Sequence, residues 1–229
     1  MNAPIDFERA RFNMIEQQIR PWDVLDLEVL ELLSLVRRED FVPLAHKALA
    51  FTDMQIPLLQ PTDEAMQQGH CMLEPKVEAR ILQDLRLRPH EKVLEVGTGS
   101  GYMAALLANR AQRVIPLELH PELVRMARAN LQRAGLTNVE VREADGAKGL
   151  PAEAPFDAIA LSGSVAEVPP ALLSQLKIGG RLAAIVGFEP VMRATFITRT
   201  GETSYTTAQP WDTVAPRLAH FPEPSRFHF

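Results

Sequence analysis

The sequence predicts an α/β protein built on a doubly wound, mostly parallel sheet. Three observations predict it. Short apolar runs alternate with helix-periodic segments between residues 92 and 186, a strand, a glycine turn and a helix start follow one another at residues 93–102, and 229 residues with 46% hydrophobic content suffice to bury one full core. Net charge is −5, which argues against a general binder of nucleic acid or of an anionic membrane. The single cysteine, Cys71, excludes an internal disulfide and a multi-cysteine metal site, so no metal is expected. The chain starts without a basic-then-apolar leader and has no apolar run of membrane-spanning length, so the expectation is a soluble cytoplasmic protein of unspecified oligomeric state.

In chain order, residues 6–20 are helix-compatible. After Pro21-Trp22-Asp23, a second helix carries Val29, Leu32, Leu33 and Val36 on one face. Arg37-Arg38-Glu39-Asp40-Phe41-Val42-Pro43 closes the segment, and a charge cluster of this kind predicts a solvated helix end. Residues 51–75, broken by Pro57, Pro61, Gly69 and Pro75, read as irregular, either a loop covering a ligand site or a surface linker. Helical periodicity resumes at 75–87 with Val77, Ile81 and Leu85. Strands are expected at 92–96, 113–117, 139–142, 156–161 and 181–186, with helices starting near Gly101, Pro121 and Pro169. Leu123, Met126, Ala127 and Leu131 form the buried stripe of the middle helix, and Gly135 ends it. Residues 194–198 and 203–207, split by Thr200-Gly201-Glu202, read as an antiparallel hairpin. The tail from 208 to 229 combines Pro210, Pro216, Pro222 and Pro224 with Trp211, Phe221, Phe227 and Phe229; it should wrap the domain, a partner-binding tail being the sharper alternative.

The stretch Val93-Leu94-Glu95-Val96-Gly97-Thr98-Gly99-Ser100-Gly101-Tyr102 is a ligand cradle in this fold class, with a structural turn and a nicotinamide site as the competing readings. The third glycine comes one residue earlier than in the dinucleotide fingerprint. Glu95, at the strand's end, disfavours a pyrophosphate and suits a ligand bearing an ammonium and a sulfonium. Glu118 follows a second apolar run roughly 20 residues after the first glycine, where a carboxylate accepts hydrogen bonds from both ribose hydroxyls. These features point to S-adenosylmethionine. Asp145-Gly146, after the third strand, is either an ordinary turn or an acceptor for an adenine amino group. Methyl transfer from a sulfonium is an in-line displacement that requires alignment and exclusion of water, without a metal, and an ionised carboxylate acceptor needs no general base. Ser100, Ser162 and Ser164 read as structural. His70 and Cys71 are kept because they fall in the loop expected over the ligand, although a satisfied histidine and a half-buried thiol also fit.

The motif order resembles the protein-L-isoaspartate O-methyltransferase family over nearly the entire chain. The resemblance rests on Arg37 to Pro43, Phe51-Thr52-Asp53 with Ile56-Pro57, Val93 to Tyr102, Asp145-Gly146, Ala154-Pro155-Phe156-Asp157-Ala158-Ile159, Leu173 with Gln175-Leu176, and Gly179-Gly180-Arg181-Leu182 ending in Val186-Gly187. It implies the Rossmann-like class I S-adenosylmethionine-dependent methyltransferase fold with a C-terminal antiparallel hairpin. The expected organisation is an N-terminal helical cap and substrate loop over 1–75 and a donor-binding domain over 76–229. It implies a cytoplasmic protein-repair transferase that methylates a carboxylate of isomerised aspartyl residues in a protein or peptide. Cofactor contacts would fall on Gly97, Thr98, Gly99, Ser100 and Gly101, on Glu118 and Leu119, on Asp145 and Gly146, with Glu95 beside them and Met72 and Leu73 from the substrate loop. That loop departs from the family's Gly-x-Gly-Gln-Thr-Ile-Ser run: Gly69-His70-Cys71-Met72-Leu73 stands there, without the Thr and Ser hydroxyls, and Glu74 adds a negative charge. The family's Thr-Ala-Ala segment has become Ser162-Gly163-Ser164. Two alternatives therefore stay open beside the isoaspartyl reading: a different acceptor, including a small molecule, or a non-catalytic S-adenosylmethionine-binding module.

Overall fold

The computed structural model describes residues 6–224, so Phe227 and Phe229 of the expected wrapping tail lie outside the described residues. Helix α1 (Phe7–Met14) starts at Asp6, whose carboxylate accepts from the Arg9 amide at 3.1 Å. Residues 6–20 do not continue as one α-helix: the chain widens by one turn over Ile15–Ile19 and tightens over Arg20–Trp22. Pro21, which has no N–H and crowds the preceding turn, accounts for the stop. Helix α2 (Leu27–Leu35) is capped by Asp26 and buries Val29, Leu32 and Leu33 as the spacing predicts.

The charge cluster that follows is not a solvated helix end. Arg38 is 0% exposed and Glu39 is 3% exposed. Arg38 pairs with Glu78, and Glu39 pairs with Arg11 of α1. A local pattern shows the charges but not partners 40 and 28 residues away.

Residues 51–75 are more ordered than expected. Strands β1 (Ile56–Pro57) and β2 (Cys71–Met72) pair antiparallel around helix α3 (Thr62–Gln67), forming a flap. Helix α4 (Pro75–Leu85) follows, with proline in its first turn. Then come β3 (Lys92–Val96), α5 (Tyr102–Ala108), β4 (Arg113–Glu118), α6 (Pro121–Arg133), β5 (Arg142–Glu143), β6 (Phe156–Val165), α7 (Pro170–Leu173), β7 (Leu176–Phe188), β8 (Val191–Arg199) and β9 (Tyr205–Thr213).

The seven-stranded sheet has the order β5-β4-β3-β6-β7-β8-β9, parallel through β7 and antiparallel from β7 to β9. The chain winds outward from β3 in one direction and from β6 in the other, so the switch point lies between their carboxyl ends. Side chains alternate across it: Val93, Ala158 and Ala160 face one apolar cluster, and Leu94, Ile159 and Leu161 face the other. The first cluster runs without a break from Met14 and Leu33 of the cap through α5 to Ala183 of the sheet, and all seven residues of α5 are buried within it.

Two sequence boundaries are corrected. The third parallel strand is confined to Arg142–Glu143, with Val139 making only an isolated bridge to Val114. The tail enters the sheet, since β9 takes in Pro210 and Trp211. Pro210 is tolerated because β9 is an edge strand whose register shifts between Ala194 and Phe196.

Candidate active site

The turn after β3 puts Gly97, Gly99 and Gly101 at φ +84, +54 and +86, left-handed values that a side chain rarely adopts. At Gly101 a Cβ would also meet Ala127 and Leu131 of α6 at 3.2–3.3 Å, so the turn packs directly on the helix. Glu118, at the end of β4, braces it: Oε2 accepts from the Gly99 amide at 2.9 Å, and Oε1 accepts from the amides of Leu119 at 2.8 Å and His120 at 3.0 Å. One carboxylate thus joins the glycine turn to the start of α6. After β5, Gly146 lies so close under Val96 that a Cβ would sit 2.3 Å from Val96 Cγ1. This contact fixes Asp145 beside the end of β3.

These elements surround a crevice of about 210 Å³ at the carboxyl edge of the sheet. Gly97, Gly99, Glu118, Leu119, Asp145 and Gly146 line it. The flap covers one side through Gln68, Gly69, His70 and Cys71, and the segment after β9 covers another through Arg217, Leu218 and Phe221. Leu218 Cδ2 occupies the space a Cβ on Gly97 would need, at 2.6 Å. His220 Nδ1 lies 2.8 Å from Asp145 Oδ2.

Other predicted site residues stand behind this lining. Glu95 is 0% exposed, and its oxygens accept from Ser162 Oγ at 2.7 Å and Thr98 Oγ1 at 2.8 Å. Burial pushes the Glu95 carboxyl up to about 7, and the two hydroxyls only partly offset it. Ser100 and Thr98 are buried, and Asn130 Nδ2 donates to the Ser100 carbonyl at 2.9 Å. Gly101, Met72 and Leu73 are likewise buried behind the crevice wall, and Arg38 Nη2 donates to the Leu73 carbonyl at 2.6 Å.

The His70 and His120 rings meet at an angle of 59° with their centroids 4.7 Å apart. Burial, followed by the neighbouring His120, holds His70 below its ordinary value, against the pull of Glu118 and Glu64. Burial, with Glu74 and Glu78, pushes the Cys71 thiol up to about 12, so it is no nucleophile at neutral pH. At Asp145, burial alone would raise the carboxyl, but the Ala147 amide and His220 outweigh it and hold it below the usual range. Sequence reasoning missed His120, Arg217 and Leu218 as lining residues. Proline and aromatic density marked the segment of Arg217 and Leu218 as packed, but no periodicity says against what.

The arrangement suits S-adenosylmethionine on grounds visible in the chain. The left-handed glycines expose bare main chain, and Glu118 uses three of about four carboxylate acceptor positions on amides, leaving capacity for a ribose hydroxyl. Apolar walls from Leu117, Leu119 and Leu123 face the crevice. A doubly wound sheet with an acid-flanked glycine turn at its switch point defines a class I S-adenosylmethionine-dependent methyltransferase.

The family model for protein-L-isoaspartate(D-aspartate) O-methyltransferase matches residues 9–213, and the chain belongs to that family. Its members are S-adenosylmethionine-dependent O-methyltransferases. The chain is 41% identical over 179 residues to the protein-L-isoaspartate O-methyltransferase of Methanoculleus marisnigri, covering 78% of each chain. It is 39% identical over 201 residues to protein-L-isoaspartate O-methyltransferase 2 of Marinobacter nauticus, covering 87% of this chain and 88% of that one. Among solved structures, a Plasmodium falciparum chain assigned to the same activity, in complex with S-adenosyl-L-homocysteine, shares the fold with a TM-score of 0.75 at 19% identity, covering 94% of this chain and 99% of that one.

Proposed function

We propose that this chain transfers the methyl group of S-adenosylmethionine to the free carboxylate of an isomerised aspartyl residue in a protein or peptide. The observation that carries the reading is the crevice at the switch point, braced by Glu118 and opening beside a second, polar cavity from which an acceptor can approach. In this reading the main chain at Gly97, Thr98, Gly99, Ser100 and Gly101 cradles the methionine part, and Glu118 with Leu119 takes the ribose. Asp145 and Gly146 take the adenine, while Glu95, Met72 and Leu73 set the wall behind the sulfur. In the same reading the described residues up to 75 serve as the acceptor-side cap and those from 76 onward as the donor domain. The bound donor supplies an activated methyl group. The chain's own contribution is alignment and the exclusion of water, by the flap on one side and by Leu218 and Phe221 on the other. We place the activity in the cytoplasm, where an unpaired Cys71 is at home.

The test is transfer of radiolabelled methyl from S-adenosylmethionine to an isoaspartyl peptide and to its aspartyl twin. The reading predicts a base-labile methyl ester on the isoaspartyl peptide only. Equal labelling of both peptides, or of neither, contradicts it.

A further inference from the structure

The family's acceptor-loop hydroxyls have no counterpart in this flap, where Met72 and Leu73 are buried in the core. Something else has to meet the acceptor's carboxylate. Next to the donor crevice lies a cavity of about 510 Å³ that shares Gln68, Gly69 and Arg217 with it. Arg217 is the one Arg or Lys among the described residues lining either space. Its Nη2 donates to the Gly187 carbonyl at 3.0 Å, its Nε lies 2.8 Å from Glu223, and its guanidinium sits 5.2 Å from the centre of the Phe188 ring. Its Nη1 is buried with no acceptor among the described residues.

Beside it, β6 and the segment after β9 run together. The Ser164 amide donates to the Pro216 carbonyl at 2.7 Å, and the Leu218 amide donates to the Ser164 carbonyl at 2.9 Å. Ser164 is 0% exposed, lines the same cavity, and its Oγ also has no partner among the described residues. Two buried, unsatisfied polar atoms on adjoining backbone, one on a cation, are costly to the folded chain unless an anion supplies what they lack.

We propose that Arg217 and Ser164 are the acceptor's carboxylate-binding pair. The assignment rests on the isoaspartyl reading above and adds the residues that recognise the substrate. Arg217 Nη1 and Ser164 Oγ each donate to the carboxylate, leaving a lone pair on one oxygen directed across Gly69 into the donor crevice. That oxygen forms the new O–C bond to the methyl as the C–S bond breaks, the bonding pair stays on sulfur, and no proton moves. The product ester is neutral and no longer attracts the guanidinium, which favours its release. Glu189, exposed at the rim, is the one carboxylate among the described residues lining the cavity.

Steady-state kinetics with an isoaspartyl peptide, together with calorimetric binding of S-adenosylmethionine, test the assignment on the full chain. Arg217→Gln should raise the peptide KM by about 10- to 100-fold, a larger change than in the donor Kd because Arg217 only borders the donor crevice, and Arg217→Lys should recover part of the loss. The wild-type peptide KM should rise with ionic strength, and that of Arg217→Gln should not. Ser164→Ala should raise the peptide KM about three- to tenfold without lowering the melting temperature, because the hydroxyl it removes has no partner among the described residues. A wild-type enzyme that esterifies the peptide alongside variants whose peptide KM stays within about twofold of it would overturn this assignment alone. A wild-type enzyme that makes no isoaspartyl ester overturns both the assignment and the reading beneath it.

Discussion

Glu118 and Glu95 stand on adjacent strands at the same edge of the sheet, yet their surroundings give them different roles. Glu118 is bound by three main-chain amides and faces the crevice, so replacing it with Gln removes a charged acceptor and leaves the side-chain volume. Calorimetry should show S-adenosylmethionine binding weakened by about 1–3 kcal/mol, and an unchanged affinity would remove Glu118 from the ribose site. Glu95 is sealed beneath Thr98 and Ser162, and burial raises its carboxyl from 4.5 to about 7. The folded state therefore holds this proton more tightly than the unfolded chain. The resulting stability is fully present below pH 4.5 and is lost as pH rises through about 7. Thermal melts of Glu95→Gln against wild type should show that this decline, of order 3 kcal/mol, is absent in the variant. Both carboxylates were legible in the sequence, because strand ends beside a glycine turn are fixed by local spacing. That Glu95 would lie behind the lining was not, since its covering hydroxyl on Ser162 comes from another strand.

At the scale of elements, the cap and the covering segments decide the shape of the site. The turn carrying Arg38 and Glu39 reads as solvated because a one-dimensional pattern shows charge without partners; in three dimensions Arg38 spans Glu78 of α4 and the Leu73 carbonyl of the flap. Arg38→Met leaves the Glu78 carboxyl buried without a cation and should cost about 3–5 kcal/mol in denaturant unfolding, with most of the loss recovered in the Arg38→Met, Glu78→Met double variant. No recovery would show that Arg38 acts through packing against Tyr102 instead of through the pair. The segment after β9 is the second covering element. His220 holds one oxygen of Asp145, and Leu218 lies against Gly97. His220→Ala should tighten S-adenosylmethionine binding by up to about fivefold, the worth of one exposed hydrogen bond, and calorimetry would detect a loss of affinity if His220 contributes to binding instead of competing. The tail's prolines predicted an irregular wrap, whereas Trp211 sits in β9, 7% exposed, and donates to Asp84 of α4 at 2.9 Å. Edge-strand pairing is set by the neighbouring strand β8, which local composition does not reveal.

On the scale of the whole molecule, the alternating runs from 92 to 186 were sufficient to predict a doubly wound sheet, because burial on both faces leaves a period that survives in the sequence. They also located the crevice, since the switch point follows from strand order and the glycine turn marks its first strand. The cavity proposed for the acceptor was not readable, because its lining comes from the flap, β6 and the tail, which are distant in sequence. The crevice, about 210 Å³, lies between the flap and the segment after β9, so both flank an entering donor. Amide hydrogen exchange followed by mass spectrometry, with and without saturating S-adenosylmethionine, tests the central claim most directly. The account predicts new protection at residues 97–101, 118–120 and 145–147 and no change along β8. Exchange left unaltered at all three stretches, or protection confined to the groove between Leu35 of the cap and Arg133 of α6, would contradict it.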